Sequence, residues 1–177
     1  MSQNSATAAT TVSRVAGAIA DLGPVYSLVE NEFLAANRLI ADQLASDVAM
    51  VEDIGSYIVD SGGKRLRPLM VLLTSQALGY AGDQHIKLAT IIEFLHTATL
   101  LHDDVVDRSG LRRGKPTANQ NWGNAPSVLV GDFLYSRAFQ LMVDLGSLEI
   151  MGVLSRATNT IAEGEVMQLT NIGNCDL

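Results

Sequence analysis

Between residues 84 and 106 the chain runs through Ile86, Leu88, Ala89, Ile91, Ile92, Phe94, Leu95, Leu100 and Leu101 with almost no polar face. A helix that is apolar nearly all round must be enclosed by other elements, so the chain has to build a bundle about it. A membrane span is excluded, because Glu93 and His96 break the run and no apolar stretch reaches about 18–20 residues. Asp83 precedes this segment as a plausible N-cap.

The flanking segments supply the enclosure. Pro24 suits the first turn of a helix. Val25, Leu28, Val29, Phe33, Leu34, Leu39, Ile40 and Leu44 then recur at helical spacing, which predicts a helix over 24–46. A second helix over 48–59 carries Met50, Val51, Ile54, Tyr57 and Ile58 on its apolar side. Ser61-Gly62-Gly63 ends it. Pro68 falls in the first turn of a third, which runs to about Leu78 and is capped by Gly79. Residues 108–126 read as loop, marked by Gly110, Gly114, Pro116, Asn119, Asn121, Gly123, Asn124 and Pro126. Helices over 127–144 and 148–172 follow. No run shows strand alternation and no segment repeats. The expected fold is all-α, a bundle of about six helices. It occupies 21–177, behind a mobile arm over 1–20 where no period is sustained.

A chain of 177 residues is long enough for one core. The net charge of −7 argues against a nucleic-acid partner, since no basic face is large enough to compete for a phosphate backbone. Positive charge is local instead. Seven of the 12 basic residues lie in two clusters: Lys64, Arg65 and Arg67, then Arg108, Arg112, Arg113 and Lys115. The Ser/Thr/Ala/Asn-rich start lacks the basic-then-apolar order of a secretory leader. The single cysteine, Cys175, excludes an intrachain disulfide framework. Together these point to the cytoplasm.

The chemistry gathers from His96 to Lys115. Asp103 and Asp107 are one turn apart, so both carboxylates share a helix face. They sit at a helix C-terminus, against the macrodipole. A hard divalent cation resolves both conflicts. Mg2+ takes one or two carboxylates together with water and phosphate oxygens. Asp104 points about a quarter-turn away, where it can support the metal from behind its direct ligands. Lys64 and Arg67 can face one anion, Arg as a fork and Lys as a point charge. His96 lies two turns before Asp103 on nearly the same face. Arg112 and Arg113 follow the carboxylates by enough residues to turn back over them. Two anion sites result: Asp103, Asp107 and Arg112 with metal, and Lys64, Arg67, His96 and Arg113 without. An apolar helix lies between them, so the fitting ligands are two diphosphates with apolar tails.

The residues Gly62-Gly63-Lys64-Arg65-Leu66-Arg67-Pro68, Leu101-His102-Asp103-Asp104-Val105-Val106-Asp107 and Arg112-Arg113-Gly114-Lys115-Pro116-Thr117 complete the pattern, with Gly131-Asp132-Phe133-Leu134 and Glu163-Gly164-Glu165. In this the chain resembles the trans-isoprenyl diphosphate synthases, in particular the long-chain octaprenyl and solanesyl type, from about residue 25 onward. The resemblance implies the all-α prenyl synthase bundle around a deep apolar cavity. It implies head-to-tail condensation of an allylic diphosphate with isopentenyl diphosphate, for a product such as a quinone side chain. It further implies that Asp103 and Asp107 bind Mg2+ and that Arg112 grips the allylic diphosphate. Lys64, Arg67, His96 and Arg113 would hold isopentenyl diphosphate. A homodimer is implied on the same ground. Product length in that family depends on bulk just before the first aspartate. Ala98 and Thr99 are small, so a product beyond C20 is expected, and Ala98→Phe should shorten it.

The match departs in one respect. The family's second Asp-rich motif is missing: after Asp107 the aspartates are Asp132, Asp144 and Asp176, all isolated. The expectation is a chain cut short and inactive alone, with apolar helix faces left open. The alternative is a non-catalytic partner that binds and regulates a complete synthase.

Overall fold

The computed structural model describes residues 22–61 and 63–173. The expected arm over 1–20 lies outside them, as do Gly62 and Cys175. Eight helices and one two-stranded hairpin are present among the described residues.

The first expected helix is two. Helix α1 (Gly23–Ser27), with Pro24 in its first turn, is separated from α2 (Glu30–Leu44) at Leu28-Val29. Val29 leaves helical geometry at φ −130° and is 1% exposed, packed with Ala36, Leu69, Leu72 and Ala89. Burying Val29 there turns the chain. Helix α3 (Ala49–Val59) and helix α4 (Leu66–Ala77) follow, and Pro68 lies buried in the first turn of α4. Gly79, at φ +69°, lies just past its end.

Helix α5 (Gln84–Val106) occupies the expected range. Asp83 stands at its N-cap, but its side chain makes no capping hydrogen bond. Ile91, Phe94, Ala98 and Leu101 are fully buried, and α5 packs along α7 with α2 and α4 beside it. The sequence expectation of an enclosed central helix is met.

The stretch 108–126 is not a plain loop. It holds a hairpin of β1 (Leu111–Arg112) and β2 (Lys115–Pro116), then helix α6 (Ala118–Trp122). Strands of two residues are too short for alternation to show in the sequence. The turn between them, Arg113-Gly114, has φ 53° and 78°, the left-handed pair that closes a two-residue hairpin. Helix α7 (Asn124–Leu145) starts earlier than expected, and Pro126 is accommodated in its first turn. Helix α8 (Leu148–Asn171) is capped by Ser147, whose hydroxyl accepts from the Ile150 N–H at 3.3 Å. Only Leu154 of α8 is buried, while Val153, Ile161, Val166, Met167 and Leu169 stand exposed.

Candidate active site

The C-terminal turns of α5 carry the carboxylates. Asp103 is half-buried and Asp107, the C-cap, is exposed. Burial raises the Asp103 carboxyl above the ordinary carboxylate range, and the charges of Glu165 and Asp107 push it the same way. Arg112 and His102 oppose the rise. Glu165 comes from α8, so two helices crowd negative charge into one place. Among the described residues, no three His, Cys, Asp or Glu side chains gather closely enough to enclose a metal ion by themselves. A crowded carboxylate pair still fits a hard cation that completes its shell with water and phosphate oxygens.

Asp104 faces away from this group. It is 1% exposed and forms a bidentate ion pair with Arg112. Arg112 Nε donates to both carboxylate oxygens at 3.1 and 3.0 Å, and Nη2 donates to Oδ1 at 2.9 Å. Asn119 Nδ2 donates to the Asp104 carbonyl at 3.3 Å. The hairpin is tied to its surroundings by Thr117 Oγ1 to the Ser109 carbonyl at 2.7 Å and by the Tyr57 hydroxyl to the Pro116 carbonyl at 2.6 Å.

The basic residues converge from three elements. Arg67 Nη1 lies 3.0 Å from His96 Nε2. Arginine can only donate, so the ring proton of a neutral His96 sits on Nδ1. Burial, and then the charges of Arg67, Arg113 and Arg112, hold the His96 pKa down at about 4. The Arg113 guanidinium lies over the backbone of Gly63, where a Cβ would stand 2.8 Å from Nη1. Gly63 therefore admits a cation that any side chain there would displace. Arg65, at φ 44°, donates to Asn37 Oδ1 at 2.6 Å. The Lys64 carbonyl accepts from the Tyr26 hydroxyl. Lys64 also lines a cleft of about 290 Å3 with Tyr26, Phe33, Asn37, Gly63 and Arg65.

Arg67, His96, Arg112 and Arg113 thus form one electrostatic neighbourhood. Because the Arg112 charge reaches both His96 and Asp103, the carboxylate and basic groups adjoin. Lys64 is placed at the edge of this neighbourhood by its cleft. Ala98 is fully buried in the main core, and Thr99 is half-buried with Oγ1 donating to the His96 carbonyl at 2.8 Å.

Three residues beside the site were given no role from the sequence. Glu93 is half-buried, its carboxyl raised by burial against the opposing charges of Arg65, Arg67 and Arg113. A lone carboxylate in an apolar helix, three residues before His96, was the available signal. Glu165 had its signal in the acidic pair around Gly164, but nothing in the spacing aimed it at Asp103. His102 Nε2 lies 3.2 Å from the Val128 carbonyl and 3.3 Å from Asp132. Its ring fills the place a Cβ of residue 131 would need, which accounts for Gly131.

The family model for polyprenyl synthetase matches residues 48–177. Octaprenyl diphosphate synthase of Escherichia coli K12 is 53% identical over 157 residues, covering 89% of this chain and 49% of its own. All-trans-nonaprenyl-diphosphate synthase (geranyl-diphosphate specific) of Rhodobacter capsulatus is 53% identical over 146 residues, covering 82% and 45%. The crystal structure of a polyprenyl synthase from Caulobacter crescentus CB15, complexed with calcium and isoprenyl diphosphate, superposes with a TM-score of 0.85 at 48% identity. It covers 89% of this chain and 48% of that one. The chain spans about half the length of the curated relatives it matches.

Proposed function

The chain belongs to the polyprenyl synthetase family, and from that premise we propose that it is the substrate-gripping part of a trans-polyprenyl diphosphate synthase. The reaction in this reading adds isopentenyl diphosphate to an allylic diphosphate and builds a long all-trans polyprenyl chain. The observation that carries it is the convergence of Arg67 on His96 at 3.0 Å and of Arg113 on Gly63, with Arg112 fixed on Asp104 beside the Asp103–Asp107 pair.

Asp103 and Asp107 would hold a divalent ion, Mg2+ in this reading, which supplies Lewis-acid stabilisation to a leaving diphosphate. Arg112 meets the charge that develops as the allylic C–O bond breaks and its electron pair passes to the diphosphate. Lys64, Arg67, His96 and Arg113 orient isopentenyl diphosphate so that its double bond can attack the allylic carbon. His96 enters neutral, so its Nδ1–H is free to donate to a phosphate oxygen. The proton released on forming the new C–C bond goes to the departing diphosphate. Thr99, one turn before Asp103, would bound the growing chain, while Ala98 beside it is enclosed in the core. A homodimer belongs to the same reading.

A second reading, a non-catalytic partner of a complete synthase, is favoured by the apolar residues standing exposed on α8. One experiment separates the two. Labelled isopentenyl diphosphate, farnesyl diphosphate and Mg2+ are incubated with this chain and with a chimera that continues it with the C-terminal half of the E. coli octaprenyl diphosphate synthase. Elongation is expected from the chimera and not from the chain alone. Arg112→Gln should lower the chimera's turnover by about a hundredfold, the scale for losing one transition-state donor. A folded chimera without turnover overturns the catalytic reading and leaves the partner.

A further inference from the structure

We propose that Asp104 is a positioning residue for Arg112, one that turns a flexible cation into a fixed diphosphate fork. The proposal rests on the reading of Arg112 as a diphosphate-binding group.

Arginine offers two hydrogen-bonding edges: the side edge of Nε and Nη2, and the end edge of Nη1 and Nη2. Asp104 takes the whole side edge, with contacts of 2.9 to 3.1 Å. The end edge remains, and Nη1 has no hydrogen-bond partner among the described residues. The Arg112 charge acts on both Asp103 and His96, so the guanidinium that Asp104 holds lies near both groups.

Asp104 suits this task and little else. Both of its oxygens accept from Arg112, and its side chain is 1% exposed, against 26% for Arg112. Its carbonyl is held by the Ser109 N–H at 2.9 Å and by Asn119 Nδ2 at 3.3 Å. A metal ion would have to displace the guanidinium to reach it. A long arginine held at one edge has already lost its rotamer freedom, so binding an anion at the other edge costs less entropy. The three aspartates of one motif therefore divide: two present charge to the ion, and one aims the arginine.

The test uses the 177-residue chain and inorganic diphosphate, titrated calorimetrically with and without Mg2+. Asp104→Asn is expected to weaken binding by about tenfold or more, as for a lost hydrogen bond to a charged group, and by the same factor without metal. Loss confined to the Mg2+ titration overturns the proposal, because a metal ligand behaves that way. On an Arg112→Lys background Asp104→Asn should cause no further loss, since the two act as one unit. Asp104→Glu, which restores a carboxylate, should recover part of the affinity that Asn loses. It serves as the reporting variant if Asp104→Asn does not fold.

The Arg112 Nε–H signal in nitrogen-15 spectra reads the pair with no ligand present. It should be sharp and slow to exchange in the wild type and collapse toward the free-arginine position in Asp104→Asn. An unchanged signal overturns the proposal. If the wild type binds no diphosphate while this signal behaves as expected, the functional reading fails and the Asp104–Arg112 assignment stands.

Discussion

His96 shows how a single residue can be set by its neighbours. Its ordinary pKa of 6.5 applies in the unfolded chain, while the folded value is about 4. The unfolded state therefore binds more protons across that interval, and folding stability falls as the pH drops from about 6.5 to 4. Urea unfolding at pH 7 and pH 5 should show the loss, and His96→Asn should reduce it. The same slope in the variant would remove His96 as its source. Glu93 works in the other direction, since a raised carboxylate pKa makes the native state the better proton acceptor. Comparing variant with wild type isolates the histidine.

Ala98 and Thr99, paired in the sequence as one length-setting step, divide in the structure. Ala98 is 0% exposed among core side chains, so Ala98→Phe overpacks the interior and lowers stability, typically by about 1–3 kcal/mol. Thr99 is half-buried and has room for change. In the elongating chimera, Thr99→Phe is expected to shorten the prenyl product at unchanged melting temperature. Product chromatography checks it, and an unaltered chain length counts against Thr99 as a length-setting residue.

Elements differ in how firmly they are held. Helix α5 is buried along its middle, and its neighbours on several sides are α7, α4 and α2. Helix α8 rests on α7 and buries only Leu154 along its length. Protection against hydrogen exchange follows burial and contact density. Amides of α8 beyond Leu154 should show protection more than about a hundredfold below those of α5. Equal protection in the two helices would mean that α8 is covered in solution. The same contrast explains what could be read from the chain alone. The range of α5 was plain, because a largely enclosed helix leaves a long, nearly unbroken apolar run. The break at Val29 was not, because a buried valine looks the same inside a helix and at its edge. The hairpin was hidden by its length, although Arg113-Gly114 carried the turn chemistry.

At the scale of the whole molecule, an acidic body with a net charge of −7 concentrates cations where the start of α4 and the hairpin meet α5. The pairing of loops was beyond the sequence. Spacing placed Asp103 and Asp107 on one face, because helix geometry is local. It could not show that Arg113 crosses to Gly63, or that Glu165 approaches Asp103, because those contacts span 50 residues or more of folded chain. The partition of Asp104 from its two neighbours was half visible, as a direction on the helix without a partner.

Three non-glycine residues adopt left-handed backbone geometry among the described residues, and all three are arginines: Arg65, Arg108 and Arg113. Each costs roughly 1 kcal/mol relative to glycine at the same position. Selection for heat resistance alone would therefore drift toward glycine at these sites, while selection for diphosphate binding would hold arginine at Arg113, the one of the three placed against a substrate in the proposed function. Sequences recovered from the two kinds of screen should part company first at that codon.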